Sequence, residues 1–134
     1  MKRALLDTSV LIDLPILVTE QPDRLPDDGY LSAVSMAELV QGPLMARSNE
    51  ERARRQRRLQ DVMTAFPAPL PFDAACVSAY GPVVASTITS ERSSRRRMAD
   101  LMIAATALAH RMPLVTRNAD DVRHLDGLIE IIAV

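Results

Sequence analysis

Asp7 stands between two apolar runs in the stretch RALLDTSVLID, with the hydroxyls of Thr8 and Ser9 directly behind it. Burying an isolated carboxylate costs several kcal/mol, roughly, unless something neutralises it. Two further acids are placed in the same way. Glu38 lies in LSAVSMAELVQG, three residues after Ser35. Asp100 lies in MADLMIAATALA, three and four residues before Ile103 and Ala104, so it shares their apolar helical face and is expected to point inward. Two unit charges about 4 Å apart repel by roughly 4 kcal/mol at an effective dielectric of 20. Acids that converge therefore need a counter-charge. A hard divalent cation, Mg²⁺ or Mn²⁺, is the partner that carboxylate oxygens prefer.

Each acid also has a simpler reading. Asp7 suits the cap of a helix starting near Thr8 or Ser9. Ser35 and Glu38 in SMAE match a Ser-x-x-Glu capping box, and Asn118 with Asp121 in NADD match a similar cap. Asp100 suits the positive end of its own helix. What favours chemistry is the combination, which depends on the elements that would carry these residues.

Short apolar runs predict strands at residues 3–6, 30–34, around Leu70, at 113–116 and at 128–134. Helical patterns lie between them. A short helix from Ser9 is expected to end near Pro15, before the Pro-rich polar loop TEQPDRLPDDG. The next helix, SMAELVQGPLMA, carries a predicted break at Gly42-Pro43. SNEERARRQRRLQDVMTAF is a charged helix with Leu59, Val62, Met63 and Phe66 at helical spacing. DAACVSAYGPVVASTI is a helix with a predicted interruption at Gly81-Pro82, and MADLMIAATALAH is the helix expected to be most buried. Strands alternating with helices predict an α/β domain of one unit, residues 1–134, around a mainly parallel sheet of four to five strands. Ligands of such sheets gather at the carboxyl ends of the strands. Asp7 ends the first strand, Ser35 and Glu38 follow the second, and Thr116 with Asn118 follows the fourth. Asp100 joins them if its helix starts at the same edge.

Composition narrows the classes. The chain has 134 residues, 48% of them hydrophobic, which suits one compact core and excludes a disordered chain. Aromatic residues make up only 3%, so aliphatic side chains must fill the interior. The net charge is -1, so global charge announces no nucleic acid, yet Lys2 is the single lysine among the cations. Arginine suits bidentate contacts to phosphate or carboxylate. One cysteine, Cys76, excludes an internal disulfide and a Cys-based zinc site. No apolar run is long enough to span a bilayer, Asp7 and Asp13 interrupt any signal-like stretch, and a cytoplasmic protein is expected.

The motifs, taken in order, resemble those of PIN-domain ribonucleases, and most of all the VapC-like toxins of bacterial type II toxin–antitoxin pairs. LLDTSVLID is similar to the first motif of that family, LSAVSMAELVQG to the second, MADLMIAATALA to the third and PLVTRNADDVRHLDGLIEI to the last. The resemblance covers the whole chain. It implies a three-layer α/β/α fold, an acidic Mg²⁺ or Mn²⁺ site and endoribonuclease activity on RNA such as tRNA or rRNA. Asp7, Glu38 and Asp100 carry over as metal ligands and catalytic acids. Asp121 is the expected fourth acid, with Thr8, Ser9, Thr116 and Asn118 in support and Asp120 left to solvent. Many members follow the fourth acid with an aromatic residue, where this chain has Val122. Magnesium held by Asp7 and Asp100 would polarise a phosphodiester oxygen and lower the pKa of water. The family also implies a small antitoxin partner and, with the apolar and arginine-bearing helix around Leu59, a homodimer.

The run Arg95, Arg96 and Arg97 leads directly into Asp100 and is expected to contact RNA phosphates, whereas the cluster RARRQRR reads equally well as a solvated face. His110 and His124 lack ligand spacing to each other. Cys76, Met63 and Met102 are expected in the core. A phospho-acceptor signalling domain would want a lysine near the last strands, and a haloacid-dehalogenase-like phosphatase a second aspartate where Ser9 stands. A P-loop is excluded because no Gly-Lys-Ser/Thr stretch occurs. A non-catalytic PIN-like binding module remains the other reading.

Overall fold

The computed structural model describes residues 1–90 and 97–134. Four parallel strands make the central sheet: β1 (Arg3–Leu6), β2 (Asp28–Tyr30), β3 (Leu114–Thr116) and β4 (Ile131–Ala133), in the order β2-β1-β3-β4. The registers place Leu5 beside Tyr30 and Leu6 beside Val115. Asp7, Leu31 and Thr116 therefore emerge at one carboxyl edge. The chain alternates faces along each strand. Leu5 and Leu114 enter one core, with Leu101, Ile103 and Val83. Ala4, Leu6 and Val115 enter the other, with Val10, Leu17, Leu39 and Leu59. This is the expected three-layer α/β/α arrangement.

On the second of these faces lie α1 (Thr8–Ile12), α2 (Leu14–Glu20), α3 (Ala33–Leu44) and α4 (Asn49–Ala65); on the first lie α5 (Ala74–Thr89) and α6 (Met98–Ala109). A short α7 (Ala119–Val122) follows β3. As expected, α6 is the most buried helix, with Leu101 and the whole run Ile103, Ala104, Ala105, Thr106 and Ala107 inside.

Several boundaries differ from the sequence expectation. Strand β2 ends at Tyr30, and the segment expected to extend it to Val34 already belongs to α3, because Ser32 caps that helix by accepting from the Ser35 amide. The run around Leu70 forms only an isolated bridge to Ser32. Pro69 and Pro71 flank Leu70, and neither can donate to a ladder. Leu70 alone exchanges bonds, donating to Leu31 and accepting from Ala33. Pro15 does not end a helix but sits in the first turn of α2, where its missing N–H costs nothing. The break at Gly42-Pro43 comes late, since α3 carries Pro43 inside and ends at Leu44. Helix α5 passes through Gly81-Pro82 without interruption. Ser78, whose carbonyl loses its donor to Pro82, is an exposed residue, on a side of the helix where an unmet carbonyl costs little. The last strand is confined to Ile131–Ala133, with Leu128 in a turn.

Helix α4 starts at Ser48, whose hydroxyl accepts from the Glu51 amide, while Glu51 accepts in return from the Arg47 amide. Leu59 and Val62 are buried against the sheet, which corrects the expectation of an exposed apolar patch around Leu59. Met63, expected inside, is 52% exposed on the outer side of the helix; Cys76 is fully buried as expected. Between α4 and the α1–α2 pair runs a groove of about 520 Å³. Leu11, Leu14, Pro15, Val18 and Phe66 form its apolar floor and Arg54, Arg57 and Arg58 its rim.

Candidate active site

Asp7 is the last residue before α1 and the point where β1 leaves the sheet. Its amide donates to the Val115 carbonyl at 3.0 Å, which ties it to the end of β3. One carboxylate oxygen, Oδ1, accepts from the Thr8 amide at 2.8 Å, so the cap reading holds. The other, Oδ2, accepts from Thr116 Oγ1 at 2.7 Å and from Ser9 Oγ at 3.1 Å. Three donors thus fix the rotamer of Asp7. The cap and the site role are compatible, since each oxygen retains lone-pair capacity. Thr116 in turn accepts from the Asn118 amide at 3.0 Å, and Ser9 accepts from the Arg117 amide at 3.2 Å. The first and last motifs are therefore joined by hydroxyl groups.

Thr8 turns the other way. Its hydroxyl donates to Glu38 Oε1 at 2.7 Å and lies 3.0 Å from Ser35 Oγ. Glu38 does not cap its helix, because the cap is Ser32 and not Ser35. Glu38 sits in the second turn of α3 and is free for the site. Buried Ser35 is a member of this network that its reading as a cap concealed.

Asp100 occupies the first turn of α6 and is half-buried. Desolvation pushes its carboxyl above the ordinary aspartate value, and the negative charges of Asp7, Glu38 and Asp121 push it further, against an opposing pull from Arg97. One carboxyl thus feels the three other expected acids, which lie on three separate elements. Asp121, on the exposed side of α7, has its main-chain carbonyl bonded by the Arg97 guanidinium, which links the third and fourth motifs. Asn118 takes the cap position of α7, but its side chain makes no capping bond. Asp120 pairs with Arg123 at 3.2 Å and is almost fully exposed, as expected. Arg95 and Arg96 lie outside the described residues.

All the donors gathered here are oxygens, the set that suits a hard divalent cation. Among the described residues, no three acidic, histidine or cysteine side chains already stand around one point at ligating distance. Asp7, Glu38 and Asp121 all act on the charge of Asp100. The chemistry of the donor set fits Mg²⁺ or Mn²⁺. His110 and His124 lie elsewhere: His110 follows the far end of α6, and His124 packs on α5 with Nε2 2.9 Å from Thr87 Oγ1. Asp13, an acid the sequence reading passed over, holds Arg117 Nε at 3.3 Å. Its one signal was its place in LLDTSVLID, six residues after Asp7. No helix among the described residues is long and apolar enough to cross a membrane.

Known proteins share this fold. Residues 4–128 match the PIN domain family model. Ribonuclease VapC5 of Mycobacterium tuberculosis is 34% identical over 131 residues, covering 96% of this chain and 93% of that protein. The crystal structure of VapBC-5 from M. tuberculosis, a member of the VapBC family of toxin–antitoxin systems, contains a chain that matches with TM-score 0.84 at 31% identity, over 100% of both chains. FitAcB from Neisseria gonorrhoeae matches with TM-score 0.75 at 28% identity, over 96% of each. The chain belongs to the PIN-domain family and is of the VapC type.

Proposed function

We propose that the protein is a metal-dependent endoribonuclease toxin that cleaves RNA phosphodiester bonds, tRNA or rRNA among them, and is held inactive by a cognate antitoxin. The observation that carries this reading is the electrostatic convergence of Asp7, Glu38 and Asp121 on Asp100 at one edge of the sheet. Asp7 and Asp100 would hold the cation, and Glu38 and Asp121 would complete its oxygen shell. When bound, Mg²⁺ or Mn²⁺ supplies positive charge to the phosphodiester and acidity to water. The chain's own residues do the rest. Ser9 and Thr116 keep Asp7 in one orientation, and Thr8 keeps Glu38 turned toward it. Such outer bonds typically matter 10–100-fold, roughly, in metal affinity or activity. Arg97, with Arg95 and Arg96 before it in the chain, faces RNA phosphates at the mouth.

The partner reading is supported by the groove between α4 and α1–α2. Its apolar floor and arginine rim suit an amphipathic segment bearing acidic residues, and VapBC-5, a member of a family of toxin–antitoxin systems, offers the precedent of a paired protein. Helix α1 forms part of that groove and begins at Asp7, so a bound antitoxin would sit next to the site it silences. A homodimer is the assembly we assign to the active species.

The test is cleavage of end-labelled RNA by the purified protein in Mg²⁺, with EDTA and Asp7→Asn as controls. Cleavage in Mg²⁺ alone, lost in both controls, is the expected result. Cleavage that persists in EDTA or in Asp7→Asn would remove the acids from the mechanism.

A further inference from the structure

Beside the acids lies a second cavity, of about 430 Å³, on the outer side of β3 and α7. Asn118 and Asp121 line it, so it opens directly onto the proposed nuclease site. Among the described residues its charged wall consists of the cations Arg117 and Arg123 and the acids Asp120 and Asp121. We propose that this cleft holds the RNA nucleotide adjacent to the cleaved bond, with Arg117 and Arg123 clamping its phosphate. The proposal rests on the nuclease reading and adds where the strand runs.

The charges require something of this kind. A site of four acids repels a polyanion, and the cation offsets that only at the cleaved phosphate. The neighbouring phosphate needs its own counter-charge, and arginine offers a planar fork for it. Arg117 is built into the site. Its amide donates to Ser9 Oγ, the hydroxyl that also bonds Asp7, and its Nε is held by Asp13 at 3.3 Å. Asp13 thus fixes the fork, while the two terminal amino groups make no hydrogen bond among the described residues. Among the described residues, Arg123 is held only by the exposed pair with Asp120, a contact of the kind that contributes little and yields easily to phosphate. Among the described residues no aromatic side chain lines the cleft, which favours backbone contact over base stacking.

Single-turnover cleavage of a labelled single-stranded RNA, with protein in excess and Mg²⁺ present, tests this at several salt concentrations. It separates the half-saturating concentration from the maximal rate. Arg117→Ala and Arg123→Ala should each raise the former about five- to tenfold, with the maximal rate within about twofold. The double variant should lower the slope of log affinity against log salt by about 0.7, the value for one phosphate contact on a single strand. Arg117→Lys should keep the slope while losing part of the affinity. Arg3→Ala, at the opposite edge of the sheet, should change nothing.

An unchanged half-saturation and slope in the double variant, with wild-type cleavage intact, would overturn the cleft assignment and leave the nuclease reading standing. A fall in maximal rate alone would also overturn it, since Arg117 would then act through Ser9 and Asp7 and not on RNA. Absence of any RNA cleavage by the wild type would remove the nuclease reading and this proposal together. Thermal midpoints of all variants show whether a loss reflects folding.

Discussion

At the scale of the residue, Asp100 carries a conflict. Burial and three neighbouring acids raise its pKa, so its ionised form costs the metal-free fold stability. The group binds its proton more readily in the folded chain than in the unfolded one. The destabilising contribution of Asp100 should therefore fade as pH falls through the raised value and be gone below the ordinary value of 3.8, read as a shrinking stability difference between the metal-free wild type and Asp100→Asn. Asp100→Asn removes the cost. It is expected to stabilise the metal-free protein at neutral pH. The same variant should abolish cleavage. Denaturant melts in EDTA at pH 4 and pH 7.5, beside activity assays, check both halves. Thr8→Val tests the neighbouring network. Losing the bond to Glu38 should lower activity roughly 10–100-fold with little change in the fold. Asp7 was legible in the sequence as a charge between apolar runs, and Glu38 and Asp100 as acids beside them. The two oxygens of Asp7 and their three separate donors were not, because Thr116 is distant in sequence and its register beside Asp7 is set by the sheet.

Elements explain which expectations held. Helix α6 was legible because its buried face extends almost all round, a pattern no exposed helix shows. Leu101→Ala should cost about 2–5 kcal/mol in a chemical melt, since the side chain is fully buried in the first turn after Asp100. The start of α3 was misplaced because Ser32 and Ser35 both suit a cap, and only the end of β2 decides between them. Ser32 is the cap that forms. Ser32→Ala should cost about 1 kcal/mol and reduce cleavage, because α3 carries Glu38. Pro69, Pro71, Pro15 and Pro82 show why local rules alone misplace boundaries. Proline forbids one hydrogen bond, and its effect depends on whether that bond was needed there. At Leu70 it was needed and the strand failed; at Pro15 it was not.

For the whole molecule, the four motifs in their order carried the resemblance to the family before the sheet was known, each contributing one acid. The groove could not be read, because it is made where α4 packs across α1 and α2, and its arginines looked like a solvated face. Val18, 55% exposed on that floor, allows a clean test. Val18→Glu should leave cleavage intact while a co-expressed antitoxin no longer protects the cell from growth arrest. Protection equal to wild type would place the antitoxin elsewhere.

The most direct measurement of the shared acid site is titration of the metal-free protein with Mn²⁺ by calorimetry, beside Asp7→Asn and Asp100→Asn. The account predicts saturable binding by the wild type that each variant weakens at least about tenfold. Equal Mn²⁺ affinity in all three proteins would contradict it, because the ion would then owe nothing to the carboxylates that the fold brings together.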